Sequence, residues 1–198
     1  MSVRVSVGNT KLGRIPNISL TPILTCPSNI PCRTLCYAMR AYRQYPNVRT
    51  AWDTNLEICR RSQTEYFDGI AAWLSSKKKP VRYFRWHVAG DIPDDTYLCN
   101  MIDLACDFPK TKFMAFSKQH DILHRHYRKA PKNLILRASL WTCWGKLRDV
   151  KGLAKAWFQD VDHSEKRIPD NARVCPGSCI TCKRCWTLPK NDVVLMQH

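Results

Sequence analysis

The order of apolar and polar positions along the chain predicts alternating strands and helices. Short runs rich in β-branched and aromatic residues are separated by stretches with apolar residues at helical spacing. The runs predict six strands, at residues 17–25, 81–89, 111–116, 133–140, 154–159 and 192–197. The helical spacing predicts helices at residues 32–43, 47–61, 64–74, 96–108 and 121–129, with Asp94 as the N-cap of the fourth.

Strands that alternate with helices in this way are typical of crossover connections and a mainly parallel sheet. We therefore predict an α/β fold, either a partial βα barrel of about six strands or a mainly parallel sheet, with a cysteine-rich loop near the C-terminus. The chain of 198 residues has room for one good core, so we expect a single domain over residues 1–198.

Polar residues stand at nearly every predicted strand end. In parallel α/β folds the functional groups gather at the carboxyl ends of the strands, which makes these residues candidates for a ligand site. One polar residue at a strand end is common, and only the repetition along the chain favours a site. The candidates are Cys26, His87, Gly90, Asp91, Ser117, Lys118, Ser139, and Gln197 or His198 at the last strand.

Composition then limits where the protein works. No stretch approaches the roughly 20 apolar residues of a membrane helix, and the first residues lack the apolar block of a signal peptide. We therefore expect a soluble, cytoplasmic protein without a membrane partner. Its eleven cysteines are an odd number, so they cannot all pair in disulfides. In a reducing compartment, clustered cysteines are more often metal ligands.

Three cysteines, Cys26, Cys32 and Cys36, lie in the loop 25–38 after the first predicted strand. A structural zinc takes four protein ligands, whereas an iron–sulfur cluster held by three cysteines leaves one iron open for a small molecule. The alternative is that they are buried as small hydrophobic residues. Two prolines among them favour a metal-binding loop over a core element.

A second group of four cysteines occupies the loop 175–186. Three of the four form a CxxCxxC run, which is a ferredoxin-like spacing and favours a [4Fe–4S] cluster over zinc, with zinc as the alternative. Two basic residues between the last two cysteines would offset the charge of four thiolates. The group consists of Cys175, Cys179, Cys182 and Cys185. We expect the other cysteines to lie in the core, namely Cys59, Cys99, Cys106 and Cys143.

The charge suggests an anionic partner. Lysines and arginines number 32 against 16 acidic residues, a net charge of +16, which attracts polyanions. Basic residues interleaved with tyrosines can hold phosphates and stack bases, although no complete recognition module is present. A solvated surface is the alternative. The nucleic-acid candidates are Arg33, Arg40, Arg43, Lys77, Lys78 and Lys79.

The three-cysteine loop, Tyr37 beside its last cysteine, and the turn Gly90-Asp91-Ile92-Pro93 resemble the radical S-adenosylmethionine enzymes. The resemblance implies a partial barrel, a [4Fe–4S] cluster on the N-terminal cysteines, and S-adenosylmethionine on the open iron. It also implies a contact from the turn to the amino group of that cofactor. The cysteine spacing is wider than in that superfamily, and an aspartate replaces its usual glutamate. The other candidate cofactor contacts are Tyr37, His87, Ser117, Lys118 and Ser139.

The Cys-Tyr-Ala ending of the first loop and the cysteines at both ends of the chain are also similar to a family of uncharacterised bacteriophage proteins. That similarity implies the cytoplasm of an infected host as the location. Two hypotheses follow. The protein is an iron–sulfur enzyme with one or two clusters, or its cysteines hold structural metal while its basic surface binds nucleic acid or a host protein.

Overall fold

The computed structural model describes residues 1–34, 36–141, 150–159 and 168–196. Within these ranges eight strands form one sheet. The strands are β1 (Ser6–Asn9), β2 (Gly13–Ile18), β3 (Tyr83–Trp86), β4 (Lys112–Ser117), β5 (Leu134–Trp141), β6 (Lys155–Gln159), β7 (Arg173–Val174) and β8 (Val193–Met196).

Helices occupy most of the connections between the parallel strands. Asp94 caps the fourth helix, as the sequence predicts, by accepting a hydrogen bond from the N–H of Tyr97 at 2.8 Å. No helix in the described ranges is long and apolar enough to cross a membrane. The helices are α1 (Tyr37–Gln44), α2 (Pro46–Arg61), α3 (Gln63–Ser75), α4 (Asp95–Asp107), α5 (His120–His126) and α6 (Arg184–Thr187).

The sheet has the order β1-β2-β3-β4-β5-β6-β8-β7. Every neighbouring pair is parallel except β1 and β2, which are antiparallel. The predicted α/β fold with a mainly parallel sheet is therefore confirmed. Strands β2, β3, β4, β5, β6 and β8 are neighbours in the order of the chain, which is how strands wind in a βα barrel. Only β7, at the edge beyond β8, departs from that order. The sheet of the described residues stays open, with β1 and β7 at its edges.

One face of the sheet, the helix face, carries the main core. Side chains alternate along a strand, so Phe84 and Trp86 of β3 point to the same face, as do Phe113 of β4 and Leu136 of β5. They pack against apolar residues of α2 to α5. Phe84, Trp86 and Phe113 are each 0% exposed. This core fixes the register of the strands, because a shift by one residue would turn these rings to the other side.

The opposite face is covered by the C-terminal tail, residues 175–192, and we call it the tail face. Trp186 of α6 is 1% exposed and packs there with Met114 and Ile135. Its indole N–H donates to the carbonyl of Phe84 at 3.3 Å, and its ring meets Tyr83 edge-on with centroids 5.8 Å apart. The C-terminal cysteines therefore lie against the sheet.

The start of the fold differs from the prediction. The predicted first strand spans residues 17–25, directly before Cys26, but β2 ends at Ile18. Pro22 has no N–H for a strand partner, and Ile23 adopts a left-handed conformation with φ of 73°, so the chain leaves the sheet before the first cysteine. The first predicted helix is also shorter, because Cys32 lies in a 3₁₀ turn and α1 begins only at Tyr37. Strands β1 and β7 were not predicted.

Candidate functional site

The N-terminal cysteines lie in the loop between β2 and α1, at the carboxyl end of the parallel strands. Cys26 follows a turn in which its N–H donates to the carbonyl of Ile23 at 3.2 Å. Cys32 lies in the 3₁₀ turn, Cys36 directly precedes α1, and all three thiols are half-buried. The guanidinium of Arg33 donates to the carbonyl of Ile23 at 3.1 Å, which holds the loop together.

Asp91 ties the ends of β3 and β4 to this loop. Its Oδ1 accepts from the hydroxyl of Ser117 at 2.6 Å and from the N–H of Ile92 at 2.8 Å. Its Oδ2 accepts from the N–H of Lys118 at 2.8 Å, and its own N–H donates to Thr25 Oγ1 at 2.9 Å. Asp91 is 1% exposed. Gly90, Asp91, Ser117 and Lys118 are therefore brought together, as the strand ends predict.

Because Asp94 caps α4, Asp91 has no capping role there. Burial raises the pKa of Asp91, and the three donors to its carboxylate oppose that rise. A carboxylate has about four acceptor positions, of which these donors use three. An Asp91→Ala change would leave buried donors unpaired at about 1–3 kcal/mol each. Asp91→Asn is therefore the better variant for testing ligand binding.

Gly90 has a left-handed φ of 76°. A Cβ at this position would lie 2.8 Å from Thr25 Oγ1 and 3.0 Å from Leu20 Cβ. Glycine is therefore needed so that the end of β3 can pack against the loop that carries the cysteines. The space left by the missing side chain is filled by the protein itself.

Lys118 brings positive charge to the cysteine loop. Burial lowers the pKa of Lys118, but the charge of Asp91, together with Cys32, Tyr37 and Cys26 when they are ionised, outweighs that effect, and the net pKa is raised. Burial, together with the charge of Asp91, raises the pKa of Cys26 to about 11, and burial also raises the pKa of Cys32. These thiols carry their protons at neutral pH. A metal that binds to them would therefore have to displace those protons. The Lys118 ammonium is placed to stabilise the resulting thiolates.

Tyr37 belongs to this region, whereas His87 lies in the core. The Tyr37 hydroxyl donates to the carbonyl of Val88 at 2.6 Å, while its ring is exposed. His87 is 4% exposed and lies on the helix face, with its ring centroid 5.5 Å from that of Tyr97. Burial lowers the pKa of His87 to about 3, which keeps the ring neutral. The structure places His87 among aromatic rings, and neither of its ring nitrogens has a hydrogen-bond partner among the described residues.

Ser139 lies further along the sheet, on the tail face of β5. It is 1% exposed, and its hydroxyl has no hydrogen-bond partner among the described residues. Its carbonyl accepts from His120 Nε2 at 2.9 Å. The two candidates at the last strand, Gln197 and His198, fall outside the described residues.

The C-terminal cysteines share one cavity on the tail face. The tail is fixed at two places, where the N–H of Cys179 donates to the carbonyl of Lys11 at 2.7 Å and the N–H of Cys175 donates to that of Val194 at 2.8 Å. Burial raises the pKa values of Cys179 and Cys185. All four cysteines line the cavity, together with the basic residues Arg137, Arg173, Lys183 and Arg184.

Two buried arginines of the tail face, Arg85 and Arg137, were missed by the sequence prediction. Arg85 is 8% exposed and Arg137 is 1% exposed. Each stands inside an apolar strand, in Tyr83-Phe84-Arg85-Trp86 and in Leu134–Trp141. A charged residue within a buried parallel strand is unusual, and this was the signal in the sequence that could have identified them.

The cysteines are suitable metal ligands because of their sulfur donor atoms and their clustered positions. They are not already arranged around a metal position, however. In the described parts of the chain, no three His, Cys, Asp or Glu side chains converge closely enough to hold one metal ion. The C-terminal thiols nevertheless line a single cavity, and the buried Nε of Arg137 has no partner among the described residues. A soft tetrathiolate donor set suits zinc or an iron–sulfur cluster.

The remaining cysteines follow the prediction only in part. Cys59 is 5% exposed in the helix-face core, as predicted. Cys99 is half-buried, with its sulfur 3.8 Å from His126 Nδ1. Cys106 is exposed, so its placement in the core was wrong. It lies in the last turn of α4, on the side facing away from the apolar stripe. Cys143 lies outside the described residues.

A cavity of about 580 Å³ opens beside Cys36 on the side of α1. Its lining includes Arg33, Arg40 and Arg43 and no acidic residue. None of these arginines forms an ion pair with a described carboxylate. The other basic candidates, Lys77 to Lys79, precede β3 and are exposed at the amino end of the sheet. The two basic groups therefore lie at opposite ends of the parallel strands.

These features define a cysteine-rich α/β protein with a mainly parallel sheet and a cysteine group on each of two surfaces. The chain belongs to the Gene product 88 family, whose sequence model matches residues 4–188. No curated protein and no solved structure matches the chain significantly.

Proposed function

We propose that this bacteriophage-type protein binds [4Fe–4S] clusters through both cysteine groups, and that the N-terminal group keeps one iron open for a small ligand. The observation that supports this is the position of Cys26, Cys32 and Cys36 beside Lys118 and Asp91. Active sites of parallel α/β proteins lie at this end of the sheet. Three thiolates are the ligand set that leaves one iron without a protein ligand.

S-adenosylmethionine is the proposed ligand of the open iron, based on the resemblance to radical S-adenosylmethionine enzymes. When bound, the cluster would supply the open iron and one electron. The protein would supply orientation. The acceptor position of Asp91 that its three donors leave unused would receive the ammonium group, while Ser117 and the N–H of Lys118 hold the Asp91 carboxylate in place. The protein would then be an iron–sulfur enzyme.

Anaerobic purification followed by addition of S-adenosylmethionine tests this function. We expect iron and sulfide in the protein, a changed electron spin resonance signal when S-adenosylmethionine is added to the dithionite-reduced form, and production of 5′-deoxyadenosine. Asp91→Asn should weaken the spectral change while leaving the iron content intact. Zinc without iron would contradict the iron–sulfur function. Iron in the protein without any response to S-adenosylmethionine would contradict the radical chemistry, while the proposal that the cysteines bind a cluster would stand.

A second candidate, binding of nucleic acid without catalysis, is favoured by the arginine-lined cavity beside Cys36. Cavities of this size accept ligands as large as a nucleotide. The absence of acidic residues from the lining favours an anionic ligand and opposes a cationic sulfonium. The phosphate of a nucleic-acid strand fits this charge. On this function, the metal would hold the loop in shape.

Exchange of Arg40 and Arg43 for glutamine should weaken binding of single-stranded oligonucleotides. Each lost phosphate contact reduces the salt dependence of the affinity for a single strand by about 0.7 units of slope, so the double variant should lose about 1.4. Fluorescence anisotropy at several salt concentrations measures this slope. Exchange of Lys77, Lys78 and Lys79 for glutamine is the control at the other end of the sheet and should leave the slope unchanged. If the lysine variant loses slope and the arginine variant does not, the nucleic acid binds at the lysines. If binding by the wild type is lost at physiological salt, both basic groups are only solvated surface.

A further inference from the structure

Arg85 and Arg137 bury two positive charges on the tail face without a carboxylate partner. Among the described residues, neither forms an ion pair within 4.0 Å. The Arg85 guanidinium contacts Met114 Sδ and lies 4.0 Å from the ring centroid of Phe116. Arg137 donates to the carbonyls of Asn191 and of Leu188, the latter at 2.9 Å, and its Nε has no partner in the described part of the chain.

Two buried charges without a partner lower the stability of a folded protein. Transfer of an ion into the interior costs several kcal/mol unless an opposite charge compensates it. Burial lowers the pKa of Arg85, which Tyr37, Cys185 and Cys179 oppose, while the charge of Arg137 adds a smaller lowering of that pKa. The nearby Asp192 is engaged elsewhere, because its oxygens accept from the N–H of Lys155 and the indole N–H of Trp157, both at 2.8 Å. Asp192 therefore acts on Arg137 only at longer range, and among the described residues this face lacks a carboxylate in direct contact with either arginine.

The four C-terminal cysteines lie where a negative charge is needed. Arg137 lines the same cavity as all four, and Cys179 and Cys185 pack against Met114 and its neighbours beside Arg85. Four thiolates around a zinc ion, or around an oxidised cubane cluster, make a dianion. Its charge would match the two arginines.

We propose that Arg85 and Arg137 are the counter-charges of a dianionic metal group held by Cys175, Cys179, Cys182 and Cys185. This inference rests on metal binding by the C-terminal cysteines, which is one part of the proposed function. Because four protein ligands fill the coordination, this site is closed to substrate and differs in kind from the N-terminal one. The arginines act through the metal group and are positioning residues.

Zinc affinity of the C-terminal site tests the proposal. The protein is the full chain with Cys26, Cys32 and Cys36 changed to serine, and zinc is titrated against a chromophoric chelator. Arg85→Met should weaken zinc binding about 10- to 100-fold, the usual loss when a group surrounding a metal site is removed. Arg85→Lys keeps the charge and should restore most of the affinity. Arg82→Met removes an exposed arginine three positions away and should leave the affinity unchanged.

Equal losses in Arg85→Met and Arg85→Lys would overturn the proposal, because packing and not charge would then be responsible. Unchanged affinity in both, or no zinc bound by the C-terminal cysteines, would also overturn it. Protection of the four thiols from alkylation by zinc in the wild-type chain gives a second measurement if the serine variant does not fold. Absence of iron in the native protein would contradict the iron–sulfur function and leave this test intact, since its probe is zinc.

Discussion

Anaerobically purified Cys182→Ala protein should contain about half of the iron of the wild type. Two cubane clusters carry about eight irons per chain, and loss of one ligand from the C-terminal loop should release one of them. The N-terminal loop should keep its cluster, because it lies at the end of the strands while the C-terminal loop lies across the tail face. Iron and sulfide analysis per chain measures the loss.

The matched control is Cys106→Ala, which removes an exposed cysteine outside both loops and should leave the iron content unchanged. Loss of all iron from Cys182→Ala would instead indicate one cluster shared by the two ends of the chain. Full retention of iron would show that Cys182 is not a ligand.

Trp186→Ala should lower the free energy of unfolding of the metal-free protein by about 3–5 kcal/mol, the usual cost of removing a buried tryptophan side chain. Trp186 is 1% exposed, and its indole N–H bonds to the carbonyl of Phe84. Its loss would open a cavity between α6 and the sheet. Denaturant unfolding under reducing conditions with a chelator present measures the change.

Leu188→Ala is the control for that measurement, because Leu188 lies in the same tail but is 44% exposed. Its unfolding free energy should stay within about 0.5 kcal/mol of the wild type. A loss below 1 kcal/mol in Trp186→Ala would show that the tail does not depend on this anchor. A rise in thiol reactivity in Trp186→Ala alone would link the anchor to the order of the cysteine loop.

Hydrophobic periodicity predicted the parallel strands and the helices between them because each element is apolar on a face that the core buries. Helix α2 begins at Pro46 and ends at Arg61, within one residue of the prediction. The periodicity fails at the ends of the chain. Strand β7 has only two residues, both exposed, so it has no apolar face to detect.

The candidate site was predictable where it follows from topology. Asp91 and Lys118 meet because parallel strands end at the same edge, which needs no knowledge of side-chain contacts. The position of Arg85 and Arg137 beside the C-terminal cysteines depends on which face of the sheet the tail covers. No local pattern encodes a contact between residues so far apart in the sequence. The role of Gly90 was also hidden, because the atoms that fill its missing Cβ position come from Thr25 and Leu20.

The position of the tail has a consequence for folding. The cysteine loop that covers the second face bonds to Lys11, near the first strand, although it is made after strands β1 to β7. Contacts between residues so far apart along the chain form late, because closing a long loop lowers the entropy of the chain before the contact can stabilise it. Until the ribosome has made residues 175–192, Met114 and Ile135 remain uncovered and open to aggregation. Chains released before residue 175 lack both this cover and β8, so they should be insoluble or degraded, even though they contain the described residues of the helix-face core.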